Sequence, residues 1–344
     1  MEKVTKLPQL QSVAILRAFA ILAVVLNHCY SPFFKAWDWY PCELSSQYSF
    51  IFDYVLAGRM PLFFFISGYL FSHLVIDRGK YTSFKGFLEN KLKRLLLPCV
   101  IFIGIMSLTL QEDFLHQLFF YGFHLWFLKV LFVCFIVCWL CNRYVKNTKA
   151  EVAVWMLSFL MMAGPMIQFW ALGQFFKKFV FFYTGYLIYK HWARFPLLFN
   201  KKGLILFSIC FISLTAIGFY LYSSYGWGNS IDYREPIAIK AIEILIMGFA
   251  TIALVFTSVN VFLANNPDFR PVFLATINNL SYGIYLLHVY LLQTMHMYAN
   301  DLIEPFFLSN SVLSPIILFI AVTLLSIAIT KCIKKFKYGY YIVG

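Results

Sequence analysis

The sequence predicts an all-α fold: a polytopic transmembrane helix bundle of about ten spans, with both termini cytoplasmic. Three observations carry that prediction. Of 344 residues, 61% are hydrophobic and 12% are charged, whereas a soluble domain carries about 25% charged residues. A chain this apolar cannot cover itself with polar surface. Apolar windows of about 20 residues, enough for a helix to cross a bilayer, recur along the whole length. Cations gather in alternate connections, as the positive-inside rule requires.

The windows fall at residues 10–29, 48–76, 95–111, 125–142, 152–169, 171–190, 203–223, 237–262, 279–298 and 314–332. The first follows Met-Glu-Lys-Val-Thr-Lys, which superficially resembles a signal peptide. It lacks an A-x-A-like cleavage site and Arg17 interrupts its apolar core, so it reads as an uncleaved first span. The second contains Gly58, Arg59 and Pro61, which predict a short opening segment and a bend before Phe63. The third follows the basic stretch Lys91–Arg94, and the fourth opens at His124-Leu-Trp126. Gly164-Pro165 interrupts the fifth, which nearly abuts the sixth. In the eighth, Lys240 and Glu243 share a face and read as an ion pair. The ninth opens Ser281-Tyr-Gly-Ile-Tyr285-Leu-Leu-His288, and the tenth precedes Lys331, Lys334, Lys335 and Lys337. Internal repeats, low-complexity segments and soluble domains are not visible, so residues 1–344 read as one membrane-embedded domain.

With the N-terminus inside, nearly every loop cation lies on the inner side, and the outer connections hold Lys35 and Arg234. A missed or extra span would scramble this alternation. The net charge of +13 therefore reads as membrane anchoring and not as a nucleic-acid surface. The eight cysteines give no extracellular framework. Cys134, Cys138 and Cys141 share a helix face and read as small packing residues, with a metal site the lesser alternative. Cys29 and Cys42 could pair if both faced an oxidising side. No metal and no permanently bound cofactor is expected.

Arg17 and His28 are the polar groups that stand out in the first span. Eleven residues apart, they lie about 16 Å apart along one helix face. One reading has Arg17 snorkelling inward and His28 sitting at the interface. The other makes a polar path with a cation inside and a titratable imidazole outside, able to take a proton from an attacking hydroxyl. In the second span, Ser67 and Gly68 admit a close neighbour, either helix or ligand. Lys91 and Arg94, three residues apart on a helix, suit anionic headgroups or the phosphates of a nucleotide-like donor. Trp126 is a typical interface anchor. Ser281 and His288 share a face, where a histidine serves either helix–helix hydrogen bonding or catalysis. A Walker A loop, a G-x-S-x-G elbow, H-E-x-x-H and a dinucleotide fingerprint are all missing, so hydrolytic and ATP-driven chemistry have no sequence support.

Together these motifs resemble the integral-membrane acyltransferases of acyltransferase family 3. The resemblance spans nearly the whole chain. It rests on Arg17-x10-His28, Pro61-Leu-Phe-Phe-Phe-Ile-Ser-Gly-Tyr-Leu, Lys91-x-x-Arg94 before Pro98, His124-Leu-Trp126-Phe-Leu, Phe182-Tyr-Thr-Gly185-Tyr-Leu-Ile and Ser281-Tyr-Gly-Ile-Tyr285-Leu-Leu-His288. Two departures stand out. Lys91 occupies a position where many members carry a second Arg, which loses bidentate phosphate recognition. The Trp126 segment continues Phe-Leu-Lys and not as in the larger O-antigen-modifying branch. The chain thus resembles the smaller branch, which lacks a periplasmic esterase-like domain.

The resemblance implies an O-acyltransferase of the bacterial inner (cytoplasmic) membrane. It would move an acyl group, often acetyl, from acyl-CoA as co-substrate to a hydroxyl of a surface glycan or lipid-linked saccharide. Lys91, Lys93 and Arg94 would hold the donor phosphates, and Arg17 would sit by the acyl-bearing arm. His28 would act as general base or carry the acyl group briefly. His124, Trp126, Ser281, Tyr285 and His288 are secondary candidates for binding or proton relay. The alternatives are an exporter of a glycan or small metabolite, and an inactive scaffold of a polysaccharide assembly complex.

Overall fold

A computed structural model describes residues 7–34, 37, 39–40, 42–163, 172–225 and 237–343. It contains helices α1 Leu7–Tyr30, α2 Ser45–Ser49, α3 Arg59–Ile76, α4 Phe84–Lys91, α5 Leu97–Leu110, α6 Phe114–Phe119 and α7 Trp126–Tyr144. Then follow α8 Thr148–Leu160, α9 Leu172–Lys190, α10 Lys201–Tyr225, α11 Ile237–Asn265, α12 Val272–Ser309, α13 Leu313–Lys334 and α14 Gly339–Val343. Wider π turns at Phe50–Val55 and Leu92–Leu96 join α2 towards α3 and α4 to α5. Among the described residues there is no strand, so the fold is an all-α membrane bundle.

Eight stretches among the described residues are long and apolar enough to cross a bilayer. They correspond in order to the first four and last four expected spans. The join between the fifth and sixth expected spans, including Gly164-Pro165, lies outside the described residues, as do Lys35, Arg234 and the side chains of Lys240 and Glu243.

Two boundaries differ instructively from expectation. The third span does not begin after a basic loop. Helix starts at Phe84, where the Ser83 hydroxyl accepts from Gly86 N at 3.2 Å, and runs through the basic residues into α5. Pro98 has no N–H to continue the regular ladder, and the π turn before it takes up the change of register. The ninth span is longer than expected, because α12 continues to Ser309 with a kink at Ala299.

The chain divides into two compact units, residues 1–63 with 193–328, and residues 64–192 with 329–344. In the first, α1 packs along α12 and α11, and α10 packs on α11. Ala18, Ala20 and Ala23 are buried on α1, small residues that let helices approach where lipid gives no hydrophobic drive to associate. Ser12 Oγ donates to Asn260 Oδ1 at 2.7 Å. The expected break in the second span is present at residues 56–58, and its cause is visible. A Cβ on Gly58 would stand 2.2 Å from Thr251 Cβ, and Arg59 Nη1 donates to the carbonyls of Leu56 and Phe52 at the break.

In the second unit, α3 and α9 meet through two reciprocal glycines. A Cβ on Gly68 would stand 1.9 Å from the Phe182 carbonyl oxygen, and one on Gly185 would stand 2.0 Å from that of Phe65. The close neighbour that Ser67-Gly68 admits is therefore a helix backbone. Around it Phe71, Phe135, Phe182 and Tyr186 interlock edge to face or tilted. Glu151, buried in the first turn of α8, accepts from Lys190 and from His191 Nε2 (2.7 Å) beyond α9. All eight cysteines are free thiols. Cys29 is buried and Cys42 Sγ donates to Phe33 O, so the Cys29–Cys42 pairing is not made.

Candidate active site

Three turns of α1 separate Arg17 from His28, and buried Leu16, Ile21, Val24 and Val25 fix which face the helix turns inward. Arg17 is half-buried. Among the described residues no carboxylate pairs with it.

Opposite His28, α12 presents Ser281, Tyr285 and His288 at helical steps of four and three. His288 is fully buried, and its Nε2 lies 3.0 Å from His28 Nδ1. Its own Nδ1 lies 3.0 Å from the carbonyl oxygen of Ile284, one turn back. A carbonyl oxygen only accepts, so His288 carries its proton on Nδ1 and is an acceptor at Nε2. His28 must then donate from Nδ1, which places its lone pair on Nε2. One backbone carbonyl thus sets the tautomers of both rings. Tyr285 flanks the pair, with its ring centroid 5.9 Å from that of His288. Ser281 Oγ donates to Asn278 O within its own helix, 2.8 Å away.

The chain after α1 folds back over His28. Trp37 N is within 3.3 Å of the Ser31 and Phe34 carbonyls, and Tyr40 N donates to Pro32 O. This lays the Trp37 ring nearly parallel to His28, centroids 5.8 Å apart. Trp39 stacks on Trp37 at 4.6 Å and on His296 at 3.9 Å. Tyr40 OH donates to Asn300 Oδ1 at 2.6 Å, and Asn300 Nδ2 donates to Glu304 Oε2 at 2.9 Å. Burial and the Glu304 carboxylate push the Tyr40 phenol up to about 12, so it stays a donor.

The other expected residues belong to the second unit. Lys91 is buried, with Nζ 3.4 Å from the Phe135 ring centroid and 5.1 Å from that of Tyr81, an aromatic box for an ammonium ion. Lys93 and Arg94 are exposed. The π turn is why these neighbours part company: it shifts Arg94 off the face that a regular helix would give it. His124 is buried and Trp126 half-buried. Lys129 Nζ, also buried, donates to Leu118 O at 3.0 Å. Gly122, at φ +74°, allows this, since a Cβ there would stand 2.7 Å from that Nζ. Lys129 therefore closes the turn that leads into His124 and Trp126.

The family model described as an acyltransferase domain, that of acyltransferase family 3, matches residues 10–331. The chain belongs to this acyltransferase family. It is also 23% identical to YfiQ of Bacillus subtilis (strain 168), itself only provisionally named a membrane-bound acyltransferase. That alignment covers 98% of this chain and 94% of the relative. No solved structure matches. The protein is thus a multi-pass membrane acyltransferase, working from the bilayer with an acyl donor and an acceptor.

Three features of this acyltransferase escaped sequence reasoning. Trp37 lies in a connection, and its one signal was the run Trp37-Asp-Trp39-Tyr40. Lys129 was visible only as a lysine one turn inside a span. Tyr340 Oη accepts from Arg94 Nη2 at 2.7 Å; its signal was the alternation of cations and aromatics in Lys334-Lys-Phe-Lys-Tyr-Gly-Tyr340.

Proposed function

We propose that the protein transfers an acyl group, acetyl as the leading candidate, from acyl-CoA to a hydroxyl of a cell-surface glycan or its lipid-linked precursor, in a bacterial inner membrane. The single observation that carries the reading is the His28–His288 pair with its proton order set by Ile284. An imidazole with its lone pair oriented by a neutral partner is built to accept a proton.

In this reading His28 Nε2 takes the proton of the acceptor hydroxyl as the oxygen attacks the thioester carbonyl. The new C–O bond forms, the C–S bond breaks, and the departing thiolate recovers the proton from His28. The Nδ1–H···Nε2 bond to His288 steadies the imidazolium between those steps. Arg17, three turns deeper on α1, meets the acyl-bearing arm of the donor. Lys93 and Arg94 take the donor phosphates. Lys91, within its aromatic box, holds the fold of that turn. His124, Trp126 and Ser281 are secondary candidates for binding or proton relay, and Tyr285 packs on His288.

The test compares His28→Ala with the unaltered protein. Glycan acyl content by mass spectrometry should fall about 100- to 10,000-fold in rate, while acetyl-CoA binding in detergent is retained. Full acylation by the variant overturns the reading.

A further inference from the structure

The turn Leu92–Leu96 and the C-terminal segment lie in one compact unit, and α14 packs on α5 with Val343 fully buried. The fold-back into α14 is specific. A Cβ on Gly339 would stand 1.7 Å from the Ile333 carbonyl oxygen, so the segment can lie this close only with glycine there. From α14, the Tyr340 hydroxyl accepts from Arg94 Nη2 at 2.7 Å, and the guanidinium carbon is 5.9 Å from the Tyr340 ring centroid. Both side chains are exposed. An exposed arginine ordinarily samples many rotamers. Here a hydrogen bond and an aromatic ring hold a planar fork that has five N–H donors, of which Tyr340 takes one. Oriented forks of this kind bind phosphate through parallel N–H groups.

We propose that Tyr340 is a positioning residue for phosphate recognition by Arg94, so that the C-terminal segment 336–343 completes the donor site. Phosphate is common to coenzyme A and to anionic lipid headgroups; the proposal commits to the coenzyme. It rests on the donor reading given above.

The experiment measures acetyl-CoA affinity of the full-length protein in detergent for Tyr340→Phe, Arg94→Ala and the double variant. Tyr340→Phe keeps the ring and its packing and deletes the acceptor oxygen. The dissociation constant for acetyl-CoA should rise about 2- to 10-fold, the worth of one hydrogen bond. Affinity for S-acetyl-pantetheine, which lacks the phosphates, should not change, whereas general damage to the fold would weaken both. In the Arg94→Ala background, Tyr340→Phe should add nothing. An unchanged acetyl-CoA constant, or equal effects in both backgrounds, overturns the proposal. So does a defect seen only in binding to phosphatidylglycerol vesicles, which would give the clasp to lipid. If Arg94→Ala itself leaves acetyl-CoA binding intact, the donor reading fails. If Arg94→Ala weakens it and Tyr340→Phe does not, this proposal alone fails.

Discussion

His28 Nδ1 lies 3.0 Å from His288 Nε2, although the two residues stand 260 positions apart in the chain. The contact exists because α1 packs along α12, and its direction is fixed by the Ile284 carbonyl at the far side of His288. The consequence is asymmetric. In the proposed mechanism His28 presents the basic nitrogen, and His288 acts through it.

His288→Phe should therefore lower kcat while leaving the acetyl-CoA dissociation constant unchanged. A hydrogen bond to a charged imidazolium is worth about 1.5–3 kcal/mol, so the fall should be roughly 10- to 150-fold. It should be smaller than the loss on His28→Ala. Rates from purified protein with saturating acetyl-CoA check this, and equal losses for the two variants would place both rings at the reacting atoms.

The physical reasons for what could and could not be read from the sequence are local. Hydropathy and charge asymmetry mark spans, because the bilayer imposes a length and a sidedness that any single window displays. The Arg17–His28 spacing was legible because one regular helix carries both. The His28–His288 bond was not, since no window contains both ends. The separation of Lys91 from Arg94 was hidden for a different reason. The i, i+3 rule assumes a regular helix, and a π turn at Leu92–Leu96 breaks that assumption. Trp37, Trp39 and Tyr40 belong to no regular element, so there was no periodicity to read.

Packing of α3 on α9 depends on two missing side chains. Gly68→Val should sharply reduce accumulation in the membrane or the melting temperature of the purified protein. Its Cβ alone would fall 1.9 Å from a backbone oxygen that cannot rotate away, and overpacking of this kind costs about 1–3 kcal/mol or more. Gly104→Ala is the control: the nearest atom to its Cβ would be Phe114 Cε2, at 3.8 Å. Similar stability for the two variants would show that α3 and α9 tolerate a wider spacing.

Glu151 makes the stability pH-dependent. Burial alone would raise its carboxyl, but hydrogen bonds and charge from Lys190 and His191 outweigh that and hold it below the usual 4.5. A lowered carboxylate stabilises the fold above the unfolded value, and that contribution is lost as pH falls through the folded one. Glu151→Gln should thus lower stability near pH 7 by about 1–2 kcal/mol, reduced by the partial exposure of its partners. Melting curves of the two proteins should converge below about pH 4.5, in the range where the wild-type carboxylate takes up its proton. A gap that persists unchanged at acid pH would assign the effect to shape alone.

Lys91 and Arg94 stand three residues apart, yet their surroundings differ. Lys91 is buried against Phe135, Tyr81 and Phe71, whereas Arg94 is exposed and bound to Tyr340. Lys91→Met keeps the length and the packing of the stem but removes the ammonium. A desolvated cation–π contact is worth about 2 kcal/mol, so this variant should melt earlier while any protein that folds binds acetyl-CoA with nearly unchanged affinity. Arg94→Ala should do the reverse: little change in melting, because an exposed side chain buries little on folding, and roughly tenfold or greater loss of acetyl-CoA affinity from lost charged hydrogen bonds. The comparison needs only thermal unfolding and ligand titration on the same two preparations. A selective affinity loss in Lys91→Met, with melting unaltered, would put Lys91 at the phosphates and its aromatic box in a supporting role.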